Sequence, residues 1–93
     1  MSSFTTRVEL HSANYSDYET LHSAMGRQGF SRTIRGDDGV EYHLPTAEYN
    51  LIENITRAQV LEKAKVAASY TGKSSSIIVT ESNGRTWSGL SSV

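Results

Sequence analysis

From Phe4 to Leu10 the chain alternates. Phe4, Thr6, Val8 and Leu10 fall on one side, and Thr5, Arg7 and Glu9 on the other. A period of two is the pattern of a strand with one buried face. The period then lengthens. Tyr18, Leu21, His22 and Met25 recur at the spacing of one helical face, behind Ser16-Asp17-Tyr18-Glu19. Ser16 and Glu19 in that order predict a capping box, and Gly29 supplies a C-terminal stop. Phe30–Arg35 and Val40–Leu44 predict two strands pinched around Gly36-Asp37-Asp38-Gly39, where glycine and aspartate tolerate turn geometry. Pro45 cannot donate to a ladder and ends the second arm. The stretch 46–54 lacks a clean period and reads as a loop that packs down through Tyr49, Leu51 and Ile52.

A second capping box, Thr56-Arg57-Ala58-Gln59, opens a helix whose stripe is Val60, Leu61, Ala64, Ala67 and Ala68, with Gly72 beyond its end. Ser74–Glu81 reads as a β-branched strand. Ser82-Asn83-Gly84-Arg85 then signals a hairpin turn into a short final strand at Thr86-Trp87. The predicted order is β-α-β-β-α-β, an α+β, ferredoxin-like arrangement with a small C-terminal hairpin strand, in one domain spanning residues 1–93. Two helices are expected to cover one face of an antiparallel sheet. On the other, open face the alternation places Arg7, Glu9, Ser31, Thr33, Arg35, Glu41, His43 and Ile78.

Bulk composition narrows the function classes. Nine basic and ten acidic side chains leave a net charge of −1, which does not suit non-specific binding to nucleic acid but permits a local arginine patch. With no cysteine, disulfide staples and thiolate metal sites are excluded. The first ten residues lack the apolar core of a signal peptide, and no apolar run nears the roughly 20 residues of a membrane span. The expectation is a cytoplasmic protein with no membrane association. A domain this short has little room for a deep private cavity, so any chemistry is expected on an open face or a subunit interface.

His11, His22 and His43 are the candidates for proton transfer near neutral pH. His22 falls on the helical stripe and reads as a packing residue. His11, ending the first strand, and His43, alternating with Tyr42 and Leu44, point outward. Cleavage of RNA without a metal needs a base for the 2′-hydroxyl, an acid for the leaving 5′-oxygen and a cation on the phosphate. His11 and His43 are the catalytic candidates for that chemistry. Arg7, Arg32 and Arg35 are the phosphate-binding candidates, because a guanidinium fork matches phosphate. Cross-strand pairing with Glu9 and Glu41 is the competing reading of the arginines. Asp37, Asp38, Glu41 and His43 contain hard-cation ligand types, but aspartates in such turns satisfy local amides, and neither a metal nor any other cofactor is expected. Base-stacking aromatics on central strands, Walker loops and hydrolase elbows are absent from the sequence.

The segment VELHSANYSDYETLHSAMGRQGFSRTIRGDDGVEYHL, from Val8 to Leu44, resembles the GhoS family of type V toxin–antitoxin endoribonucleases. The likeness lies in a strand, a Tyr-Ser pair opening the first helix, a late methionine, Phe-Ser starting the next strand and an acidic-glycine turn. The resemblance implies a ferredoxin-like antitoxin that cleaves the single-stranded mRNA of a small membrane toxin. It also implies distant similarity to the small CRISPR-associated and VapD-type nucleases, which work as dimers. Those nucleases place a metal-binding acid at the end of the first strand, whereas this chain has His11 there, which favours acid–base cleavage over a magnesium mechanism. The alternative expectation is a non-catalytic interaction protein of a phage or mobile element, docking on a nuclease or CRISPR defence complex. A homodimer that buries the open face is a third.

Overall fold

The computed structural model describes residues 2–93. Its elements are β1 (Ser2–Leu10), α1 (Tyr15–Arg27), β2 (Thr33–Arg35), β3 (Glu41–His43), β4 (Glu48–Glu53), α2 (Arg57–Ser69) and β5 (Ser75–Ser82). β1 is the central strand of an antiparallel sheet ordered β4-β1-β5, and β2 and β3 form a separate two-stranded ladder. The chain is therefore α+β, with two helices and a three-stranded antiparallel sheet.

The alternation in β1 decides which face is buried. Phe4, Thr6, Val8 and Leu10 are buried against the helices, joined by Tyr49 and Leu51 of β4. The helices contribute Leu21, Ala24 and Met25 from α1, and Val60, Ala64, Ala67 and Ala68 from α2. The small residues of α2 let its backbone approach β1 and β5 closely. Larger side chains carry the burial energy, each fully buried Leu, Phe or Val stabilising by about 1.5–3 kcal/mol.

Thr6 is the exception in this layer. It is 0 % exposed, and its hydroxyl has no hydrogen-bond partner. An unpaired buried hydroxyl costs about 1–3 kcal/mol. Thr6→Val keeps the branched shape and removes the polar atom. It is expected to raise stability by about 1 kcal/mol, and the midpoint of urea unfolding checks this. A lower midpoint would mean that the hydroxyl is solvated.

The α2 capping box forms as expected. Thr56 Oγ1 accepts from the Gln59 amide at 3.1 Å, and Gln59 Oε1 accepts from the Thr56 amide at 2.9 Å. In α1 the box is two residues earlier than the sequence suggests. Asn14 Oδ1 accepts from the Asp17 amide at 2.9 Å, and Asp17 Oδ2 accepts from the Asn14 amide at 3.0 Å. Ser16 lies inside the first turn. The chain leaves α1 through Gly29 at φ +93°, a conformation that glycine adopts without strain.

Stretch 46–54 corrects the expected loop, because Glu48–Glu53 is strand β4 and pairs with β1 from Ser2↔Glu53 to Arg7↔Glu48. Its alternation is disguised, since Asn50 on the polar side is buried while Ile52 is exposed. Phe30–Arg35 also departs from expectation. Only Ser31 reaches the main sheet, exchanging amide bonds with Asn50 at 2.8 and 2.7 Å. The chain then peels off into the β2–β3 hairpin, closed by Gly36 N donating to Val40 O at 2.8 Å.

The final strand expected at Thr86-Trp87 does not form. Residues beyond Ser82 run irregularly across the polar face and bridge to β3 instead, with His43 N donating to Ser91 O at 2.9 Å and Val93 N to Glu41 O at 3.0 Å. The open face is therefore open over half its length only. Hairpin and tail cover the Thr5 end, where Ile34, Leu44, Trp87 and Leu90 border a cavity of about 440 Å³. The Arg7–Glu9 end stays uncovered, and Ile78 there is 64 % exposed.

Candidate functional site

His11 lies where β1 runs out. Its amide donates to Ser74 O at 2.9 Å, extending the β1–β5 ladder by one step, and Ser12 at φ +52° then turns the chain away. Alternation puts His11 on the polar side with Glu9 and Arg7. The imidazole is held between two hydroxyls, Nδ1 at 2.9 Å from Ser74 Oγ and Nε2 at 2.8 Å from Ser76 Oγ. A neutral imidazole donates from one nitrogen and accepts at the other, and a hydroxyl serves in either role. Ser74 and Ser76 therefore satisfy both tautomers and fix the ring without fixing its proton.

Ser76 also lines an open cavity of about 230 Å³ with Arg7, Glu9, Ile77 and Ile78. Arg7 stands opposite Glu48 and Ile78 in the ladders. It joins none of the ion pairs among the described residues, so its guanidinium is free for an anion. Of the predicted residues, His11 and Arg7 share the uncovered end of the polar face, linked through Ser76, which the sequence did not single out.

The other predicted residues lie elsewhere. His43 is in the separate β2–β3 ladder, opposite Thr33 and exposed. It shares neither a hydrogen bond nor a cavity with His11. Arg35 is bound to Glu41 at 3.4 Å, as ordinary cross-strand pairing predicts. Arg32 lies on the α1 side, where its charge acts on Tyr15, His22 and Tyr49. The three arginines therefore do not form one patch.

His22 is the packing residue its place on the stripe predicts. Its Nδ1 is 2.6 Å from Tyr49 Oη, joining α1 to β4. Burial pushes the imidazole below its usual value, and Arg32 acts in the same direction against Glu19. Burial pushes the Tyr49 phenol up. One of the two turn aspartates is also spoken for. The Asp38 carboxylate accepts from Val40 N at 3.0 Å and Tyr42 Oη at 2.8 Å, bonds that hold it below the usual carboxylate range. No group of three or more His, Asp or Glu side chains among the described residues is arranged to hold a metal ion.

Arg85 was not among the sequence candidates. It reaches back across the polar face, donating from Nε to Thr5 Oγ1 and from Nη2 to Asn50 Oδ1, both at 2.8 Å. In sequence it reads only as the residue after an Asn-Gly turn. Comparison with known protein families finds no family that matches, and no curated protein matches the chain. No helix among the described residues is long and apolar enough to cross a membrane.

Proposed function

We propose that the protein is a ferredoxin-like, RNA-directed endoribonuclease of the antitoxin type, acting at the uncovered end of its sheet. The observation that carries this reading is His11 clamped between Ser74 and Ser76, with Ser76 bordering the same open cavity as a free Arg7. The strand order β4-β1-β5, with Ser31 pairing on the far side of β4, agrees with a ferredoxin-like sheet whose outer strand has shrunk to one bridge. Single-stranded RNA suits a shallow face where a nucleotide can be splayed out. In this reading the substrate 2′-hydroxyl takes the place of the Ser76 hydroxyl on Nε2. His11 removes its proton as the 2′-oxygen attacks phosphorus, and the P–O5′ bond breaks to leave a 2′,3′-cyclic phosphate. The 5′-oxygen leaves with a proton returned by an imidazolium or water. Arg7 balances the charge that develops on the phosphoryl oxygens.

Labelled single-stranded RNA incubated with the purified protein is expected to be cut, to be cut equally well in EDTA, and to yield cyclic-phosphate ends. Activity that disappears on chelation and returns with magnesium would remove the acid–base mechanism.

A second reading has its own support. The exposed Ile78 beside Arg7 and Glu9 gives this half-face the mixed apolar and charged make-up of a protein-docking surface, for a defence complex or a second copy of the chain. Purified protein that leaves RNA intact, yet retains a defined partner lost on Ile78→Asp, would favour docking over cleavage.

A further inference from the structure

The covered half of the polar face holds a cavity that the nuclease reading does not use. Its volume is about 420 Å³, within the range of small-ligand sites, and Ser3, Arg35, Asp37, Ser82, Arg85 and Trp87 line it. It lies four residues back along β1 from Arg7, roughly 13 Å at strand rise.

Arg85 is the telling residue. It is half-buried, and its partners are the neutral oxygens of Thr5 and Asn50. It joins none of the ion pairs among the described residues. Burial opposes its charge and pushes the guanidinium below its usual value. A partly desolvated cation held in place by neutral acceptors keeps its unmet electrostatic demand for an anion. Arg35 borders the same cavity, and its only ion pair among the described residues is the exposed one with Glu41. Such a pair is worth little and gives way readily to a phosphate. Against these two cations the lining sets one acid, Asp37, so the cavity keeps a positive balance.

The second component is aromatic. Trp87 meets Tyr42 edge-on at 5.4 Å between ring centroids, and Tyr42 is in turn fixed by Asp38. Gly36 lies beneath this pair. A Cβ there would come within 3.3 Å of the indole and 2.7 Å of Asp38 Oδ1, so the absent side chain is what lets the ring settle at the cavity. A positioned indole beside two guanidinium groups offers a stacking surface and a phosphate fork together.

We propose that this cavity is a nucleotide-binding site. Arg85 and Arg35 hold the phosphate, the base lies against Trp87, and Asp37 accepts hydrogen bonds from sugar hydroxyls. The ligand chemistry is a phosphate joined to a planar base, supplied by a free nucleotide or by one unit of an RNA strand. The site requires no cleavage, so it stands whether or not the His11 end is a nuclease.

Trp87 is the only tryptophan in the chain, so its fluorescence reports on this cavity directly. Titration with adenosine 5′-monophosphate, which has no phosphodiester to cut, is expected to quench it saturably. Adenosine should bind about tenfold more weakly or worse, and inorganic phosphate should compete. Quenching by a short oligoadenylate without quenching by the monophosphate assigns the site to a strand; the reverse assigns it to free nucleotide. Arg85→Gln and Arg35→Gln should each weaken binding about tenfold. Arg35 is exposed and its loss spares the fold, so Arg35→Gln decides if Arg85→Gln fails to fold. Absence of quenching by both ligands, equal affinity for adenosine, or unchanged binding by Arg35→Gln overturns the proposal.

Discussion

Tyr49→Ala is expected to cost about 3–5 kcal/mol of stability, the largest loss we anticipate from any single side chain here. Tyr49 is fully buried in β4 and is among the largest side chains enclosed by the core. Its ring meets Phe30 edge-on at 6.3 Å, and its hydroxyl closes the bond to His22 of α1. Truncation leaves a cavity that helices capped at both N-termini cannot easily collapse into, and it strands an imidazole adapted to the phenol. A domain of this size has on the order of 5–10 kcal/mol to lose. Its melting temperature should therefore fall by roughly 15–30 °C, read by circular dichroism. Tyr49→Phe separates the two contributions. It keeps the ring and loses only the hydroxyl, and because His22 is partly exposed, water can replace the partner, so about 1 kcal/mol is expected. A cost for Tyr49→Ala no larger than that would mean that β4 does not hold the sheet together.

That the heaviest residue of the core fell in a stretch expected to be loop has a physical explanation. Strands are legible when burial and polarity alternate together, as they do in β1. In β4 the two are decoupled. Asn50 faces the polar side but is enclosed by Arg85 and by the Ser31 bridge, while Ile52 on the same side is exposed. The covering group comes from 35 residues further along the chain, beyond any local window. The α2 boundaries were legible because Thr56 and Gln59 settle them within one turn. In α1 two overlapping boxes were available, Asn14 with Asp17 and Ser16 with Glu19, and the first is the one that forms. His11 was readable as an outward residue at a strand end, but its clamp by Ser74 and Ser76 depends on β1–β5 register, which no local pattern carries. The expected grouping of His43, Arg32 and Arg35 with Arg7 assumed that one sheet contained all four. Departure of the hairpin after Ser31 broke that assumption.

The departure of the hairpin also sharpens what substitution of the two catalytic candidates should do. His11→Ala is expected to lower the rate of RNA cleavage by about 10²–10⁴-fold, the usual worth of a positioned general base. The same change at His43 should stay within roughly threefold, because a proton must move over hydrogen-bond distance and His43 belongs to the other ladder, its backbone tied to Ser91. Both side chains are exposed and neither contributes to the core, so the two variants should melt like the parent and the comparison should be free of folding effects. Ser74→Ala tests the clamp: the ring keeps Ser76 but loses its outer anchor, and an intermediate loss that leaves RNA affinity unchanged is the expected signature of a positioning residue. Rates measured in single turnover, with saturating protein, keep binding from masking the chemistry. Equal losses from His11→Ala and His43→Ala would mean that the hairpin swings over the sheet when RNA binds, bringing its imidazole to the leaving oxygen. No loss from His11→Ala would leave the uncovered end without a base and pass the half-face to the docking reading.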